Sequence, residues 1–237
     1  MAQSPTYFFN VEEVILEFME HCDIASLVKW AHISSKFHRI AQGIIHSRLR
    51  NIIEPFIPDT LYLQFFTLLH KTNSLIAGSA ALAIMTPKLT WKPFDLNIMI
   101  PRGRAIQWQN FFEHHGFQGG IVNNHTNHPR YRHRQKISTR ALYIYRSHTK
   151  GEVVLIESRD SPFWPIVTSQ VMSQMNAISS SHIYCLYPEL TVGAQAFQGY
   201  QGDPNEDLIF PSPLTAERFS CLWTQGLTLY EDGGDFD

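Results

Sequence analysis

Residues 74–77, Ser-Leu-Ile-Ala, stop at Gly78-Ser79 and continue at once into the alanine-rich run 80–85. A short apolar run bounded by a turn signal reads as a buried strand, and alanine is the strongest helix former, so the order is strand, turn, helix without a linker. A strand that passes so abruptly into a helix belongs in a sheet covered by that helix. The chain is thereby restricted to architectures that layer helices on a sheet.

Residues 94–100 extend this pattern, because Asp95 and Asn97 alternate with Phe94, Leu96 and Ile98. A strand has a side-chain period of two, so the two polar groups share one face. Pro101 and Gly103 end the strand. Ala105, Trp108 and Phe112 then follow helical spacing across residues 105–115, with Gly116 placed as the C-terminal cap. Residues 142–145 and 153–156 are rich in β-formers and flank a turn-like segment, which predicts a hairpin with Glu157 at its far end. After Pro162 and Pro165 the run 166–178 reads as a helix, and residues 187–191 open a C-terminal region. The acidic, glycine-containing residues 231–237 read as a flexible tail. The expected fold class is α/β (α+β), a mixed sheet with flanking helices.

The first fifty residues have a different period. Val11, Val14, Ile15 and Phe18 fall at i, i+3, i+4 and i+7, opposite Glu13, Glu17 and Glu20, and Asn10 is placed to cap that helix. Asp23 caps a second helix carrying Ile24, Leu27, Val28 and Ala31, and Ser34 or Ser35 a third carrying Phe37, Ile40 and Ile44. Pro55 and Pro58 interrupt the pattern. Behind Asp59 and Thr60 a further helix carries Leu61, Phe65, Leu68 and Leu69. This division predicts a helical segment over residues 1–56 and an α/β domain over 57–230.

A length of 237 residues with 44% apolar content is enough to bury a substantial core. A formal charge of -2 argues against a generally basic nucleic-acid binder. Charge is nevertheless uneven, since no Asp or Glu occurs between Gln118 and Lys150. Within that span Arg130, Arg132 and Arg134 would share one face of an extended chain; that arrangement can bind phosphate, but charge runs more often mark a solvated edge or loop that resists strand pairing. Cys22, Cys185 and Cys221 form no CxxC pair, which fits reduced thiols in a cytoplasmic or nuclear protein. The acidic first helix is the wrong chemistry for a signal peptide, and no apolar run approaches the roughly 18 residues of a membrane span. His114 with His115, and His125 with His128, lack the cysteine or carboxylate pattern that would complete a metal site.

Two constellations carry resemblances to known families. The acidic start at Glu12 and Glu13, then Asp23, Ile24 and Leu27, then Lys36-Phe37, resembles an F-box over about residues 9–45, without the usual leading Leu-Pro. The resemblance implies docking on the Skp-type adaptor of a cullin ubiquitin ligase, with Val14, Phe18, Ile24 and Leu27 as docking residues. A plain three-helix cap on the next domain has the same periodicity.

Gly78-Ser79, Asp95 with Asn97, and the later Glu157 resemble the Gly-Ser, Asp-x-Asp and third carboxylate of nucleotidyltransferases. There the Gly-Ser backbone holds a triphosphate, and the carboxylates hold a divalent ion, so Mg would be the cofactor at Asp95, Asn97 and Glu157. Asn97 is a neutral amide where that pattern has an acid, and Asp and Asn are also common at strand ends. The full order of segments, including Trp91-Lys92-Pro93-Phe94 and Pro101-Arg102-Gly103, resembles fungal F-box-like proteins with a degenerate nucleotidyltransferase-like region. The resemblance implies an interaction protein with a possible nucleotide or anionic ligand. A metal-dependent nucleotidyltransferase is the alternative.

Overall fold

The computed structural model describes residues 12–87, 92–122, 138–146, 151–169, 175–192, 195–197 and 228–230. Three helices come first: α1 (Glu12–Glu20), α2 (Ile24–Ala31) and α3 (Ser35–Ile53). The expected caps start two of them. Asp23 accepts the Ser26 N–H at 2.7 Å, and Ser34 accepts the Phe37 N–H at 3.3 Å, each satisfying a donor that the first helical turn leaves unpaired. The proposed cap Asn10 lies outside the described residues.

A 3-10 turn at Asp59–Leu61, tied to α3 by the Arg50–Asp59 ion pair, leads into α4 (Tyr62–Lys71). Next come β1 (Leu75–Ala77), α5 (Ser79–Met85), β2 (Asp95–Ile100), α6 (Ala105–His114) and β3 (Gln118–Ile121). The chain continues through β4 (Thr139–Arg146), β5 (Glu152–Ser158), α7 (Trp164–Val167), β6 (Asn176–Ile178), β7 (Ile183–Cys185) and α8 (Pro188–Val192). Two short strands, β8 (Gln195–Phe197) and β9 (Thr228–Tyr230), pair in parallel as a separate ribbon.

Strands β1 to β7 form one mixed sheet in the order β3-β4-β5-β2-β1-β6-β7. Only β2 and β5 within it are parallel. The expected hairpin is present, with Leu142 opposite Ile156 and Tyr145 opposite Val153. One face of the sheet, including Ile76, Ile98, Tyr145 and Leu155, packs against α3, α4, α5 and α6 through Ile53, Phe65, Ala81 and Trp108. The other face, including Leu75, Ala77, Met99 and Val154, is covered by Ile166 of α7 and by Met175. The buried indole N–H of Trp108 lies within bonding distance of Thr72 Oγ1 (3.2 Å) and Ser74 Oγ (3.1 Å), so the largest core side chain leaves no polar atom unpaired.

Helix α6 ends as its sequence predicts. Gly116, at φ 77°, donates to Glu113 O and Phe117 donates to Phe112 O, closing a Schellman motif. Phe112 and Phe117 rings meet edge to face at 4.9 Å, the hydrophobic contact that accompanies this cap.

Two expectations need correction. The run 166–178 is not one helix, because α7 stops at Val167 and Asn176–Ile178 is strand β6. An apolar run of this length fits either state. The unpaired edge of β1 selects the strand by accepting Ile178 opposite Ile76 and Ala177 opposite Ala77.

Secondly, the apolar residues of α1 do not form one inward stripe. Ile15 and Met19 face inward, whereas Val14 and Phe18 are 40% and 57% exposed. Both pairs have i, i+4 spacing, and the packing against α2 and α3 chooses between them.

Across residue 56 the packing is continuous. The 19-residue helix α3 begins among α1 and α2, through Ala41 and Ile44, and ends in the sheet core, through Leu49 and Ile53. Phe56 and Ile57 are buried in that same core.

The start of β5 closes against this junction. A Cβ on Gly151 would lie 2.5 Å from the Pro55 carbonyl oxygen and 2.6 Å from the Phe56 ring. Gly151→Ala is therefore expected to cost about 1–3 kcal/mol through overpacking, read as a lower urea midpoint. Unchanged stability would mean that this segment does not pack on β5 in solution.

Candidate functional site

β1 and β2 are antiparallel, with Ala77 opposite Asn97. This register carries the turn after β1 to the first residues of β2. Gly78 adopts φ 70° and ψ -144°, a conformation that side-chain-bearing residues rarely adopt. Any Cβ there would sit 3.1 Å from Asn97 Nδ2. Glycine thus meets both a conformational and a spatial requirement where α5 starts.

The polar groups converge on one oxygen. Asn97 Nδ2 donates to Asp95 Oδ1 at 3.1 Å, and Ser79 Oγ donates to the same atom at 3.4 Å. All four residues, Gly78, Ser79, Asp95 and Asn97, are partly exposed. The sheet therefore brings together the Gly-Ser turn and the Asp-x-Asn pair that the sequence separates by 16 positions between Ser79 and Asp95.

Glu157 does not join them. In the parallel β2–β5 pair, Glu157 is the partner of Ile100, five positions along from Asp95. At about 3.3 Å per residue that is some 16 Å away. Glu157 also alternates with Val153 and Leu155 on the helix-covered face, whereas Asp95 and Asn97 alternate with Met99 on the other. Its carboxylate is 3% exposed and is held by the Gly103 N–H at 2.7 Å, by Arg140 at 3.3 Å and by the Tyr143 hydroxyl at 3.5 Å. Burial, and secondarily the Glu157 charge, push the Tyr143 hydroxyl pKa up.

The carboxylate that the register sets beside Asp95 is Glu152. Register partners in adjacent strands share a face, so Glu152 is on the Asp95 side of the sheet. It carries an ion pair with Arg146, its cross-strand partner in β4, at 3.4 Å. The order of residues does not single out Glu152, because strand alternation gives faces within a strand and never the offset between strands. Only its position at the start of a β-rich run hinted at a strand-end role.

Among the described residues, no three His, Cys, Asp or Glu side chains gather as a metal-binding set. The donors present at this site are two carboxylates and an amide oxygen. Magnesium is typically held by one or two carboxylates, with water and substrate phosphates completing its shell, so this donor set is chemically suited to it.

The other candidates are distributed elsewhere. Arg130, Arg132 and Arg134, together with His125, His128 and residues 231–237, lie outside the described residues. Of the proposed docking residues, Val14 and Phe18 are exposed, whereas Ile24 (6%) and Leu27 (0%) are core residues. Phe18 meets Trp30 edge to face at 5.7 Å, and Trp30 contacts Phe37 at 5.1 Å. Cys22 and Cys185 are partly exposed, and burial raises the pKa of Cys185. No helix of the described residues is long and apolar enough to cross a membrane.

Fold and site together define a mixed α/β protein with a helical N-terminal unit and a polar site at the β1–α5 turn. No protein-family model matches the chain, and no curated protein matches it.

Proposed function

We propose that this chain is an interaction protein, in which the F-box-like helices dock on the Skp-type adaptor of a cullin ubiquitin ligase and the degenerate nucleotidyltransferase-like domain recognises a partner or an anionic ligand. The supporting observation is the outward apolar surface of the first helices. Three of the five apolar side chains of α1, namely Val14, Leu16 and Phe18, are exposed, as are Val28 and Ile33 nearby in sequence. A short helix that leaves most of its apolar surface in water is suited to burying it in a partner. Phe18 on Trp30 supplies the aromatic anchor that such interfaces favour.

Binding of the full chain to a purified Skp-type adaptor tests this reading. Complex formation that Phe18→Asp weakens is the expected result. Absence of binding by folded protein would remove the adaptor role.

One observation favours a second reading, metal-dependent nucleotidyl transfer: Glu152 stands beside Asp95 on the face that carries Asn97. Asp95 and Glu152 would hold a divalent ion, which would supply charge neutralisation for the phosphates. Gly78, by keeping the turn free of a side chain, leaves its backbone approachable. Under this reading, Mg²⁺-dependent incorporation of a labelled nucleotide occurs in wild type and is lost in Asp95→Ala. Equal, background-level signals in both would discard it.

A further inference from the structure

The end of the sheet remote from Asp95 carries a second polar cluster. Its centre is Glu157, whose Oε1 accepts both the Gly103 N–H at 2.7 Å and Arg140 Nη1 at 3.3 Å. The carboxylate is buried, whereas the Arg140 side chain is 51% exposed. One guanidinium nitrogen is thus anchored from behind while half the side chain remains open to solvent.

Three more arginines adjoin these partners. Arg102 and Arg104 flank Gly103 in the turn between β2 and α6, and both are exposed. Arg159, also exposed, follows Glu157 by two residues and donates from Nε to the Thr139 carbonyl at 3.3 Å, next to Arg140 in sequence. Among the described residues, four arginines on these adjoining segments therefore stand against two carboxylates, buried Glu157 and exposed Asp160. The excess of positive charge on these adjoining segments favours an anion at this end of the sheet. The Gly103 turn is uncovered, since a Cβ there would meet nothing within 4 Å.

We propose that this end of the sheet binds a dianionic phosphate group, with Arg140 as the oriented donor and Arg102, Arg104 and Arg159 supplying the surrounding positive field. A guanidinium is planar and forked, which matches phosphate oxygens better than a point charge does. Glu157 acts as a positioning residue, holding Arg140 and the Gly103 turn in place. The β2–β5 register separates this site from the Asp95 pocket by the length of the strand and by the face of the sheet.

Calorimetric titration of the full chain with pyrophosphate, and separately with a phosphoserine peptide and its unphosphorylated counterpart, tests the proposal. At least one phosphate-bearing probe is expected to bind. Arg140→Gln should weaken that binding about tenfold, and Arg102→Gln with Arg104→Gln by a similar factor, with weaker binding as salt rises. The paired variant alters exposed side chains only, so it remains informative if Arg140→Gln perturbs folding.

Preference for pyrophosphate would identify a small free anion, and preference for the phosphopeptide a phosphorylated protein segment. Either supports the site if the arginine variants lose it. No binding of any phosphate probe at millimolar concentration would overturn the proposal. So would equal binding of the unphosphorylated peptide, or unchanged affinity in the arginine variants. None of these outcomes depends on the adaptor reading, which Phe18 tests.

Discussion

Leu27→Asp is expected to unfold the N-terminal helices, whereas Phe18→Asp is expected to leave them folded and to remove adaptor binding. Leu27 is 0% exposed and packs with Ile15, Met19, Ala41 and Ile44. Aspartate there forfeits the burial of a leucine, roughly 2 kcal/mol, and adds the cost of a carboxylate without a partner. A total of about 4 kcal/mol or more is a large share of the stability of an ordinary domain.

Because α3 carries side chains of both the helical cluster and the sheet core, the loss should lower the main urea transition rather than appear as a separate early one. Phe18 is more than half exposed, so its replacement should shift the thermal midpoint by no more than a few degrees. At an interface, loss of an aromatic anchor costs about 2 kcal/mol, or roughly thirtyfold in affinity. The pair of variants therefore separates docking from folding. A folded Phe18→Asp protein that binds the adaptor as tightly as wild type would exclude this surface.

Asn97→Asp is expected to create a stronger divalent-ion site at the cost of the metal-free protein. Asn97 donates to Asp95 at 3.1 Å, so a carboxylate in its place converts a hydrogen bond into a repulsion between like charges. Without metal, the variant should melt below wild type.

With metal the sign reverses. At an effective dielectric near 20 and about 3 Å, a doubly charged cation and one carboxylate interact by about 11 kcal/mol before desolvation removes most of it. If a tenth survives, Mg²⁺ affinity rises by roughly five- to tenfold. Millimolar Mg²⁺ should then recover the melting temperature of the variant by preferential binding to the folded state. Glu152→Gln in the same background should cancel that recovery, and Glu157→Gln should not contribute to it. Equal Mg²⁺ affinity in wild type and Asn97→Asp, both folded, would leave Asp95 and Asn97 as ordinary strand-end polar residues.

The site was half legible in advance, and the division follows the range of each interaction. Gly78-Ser79 and the Asp95–Asn97 alternation are local patterns, governed by backbone conformation and the pleat, and both occur where expected. Which carboxylate adjoins Asp95 is not a local pattern, because both Glu152 and Glu157 flank the same β-rich run. The β2–β5 register decides between them. In the same way, the i, i+4 spacing in α1 fits Ile15 with Met19 as well as Val14 with Phe18, and only contact with α2 and α3 orients the helix.

The sequence by itself determined the element types around the site, the caps at Asp23, Ser34 and Gly116, and the sharing of one face by Asp95 and Asn97. These follow from interactions spanning a few residues, which the order of side chains specifies. Tertiary structure decided the strand identity of residues 176–178, the fusion of α3 to both clusters, and the placement of Glu152 rather than Glu157 beside Asp95. Each depends on pairing and packing between segments distant in the chain, where backbone groups seek partners and apolar faces compete for one core.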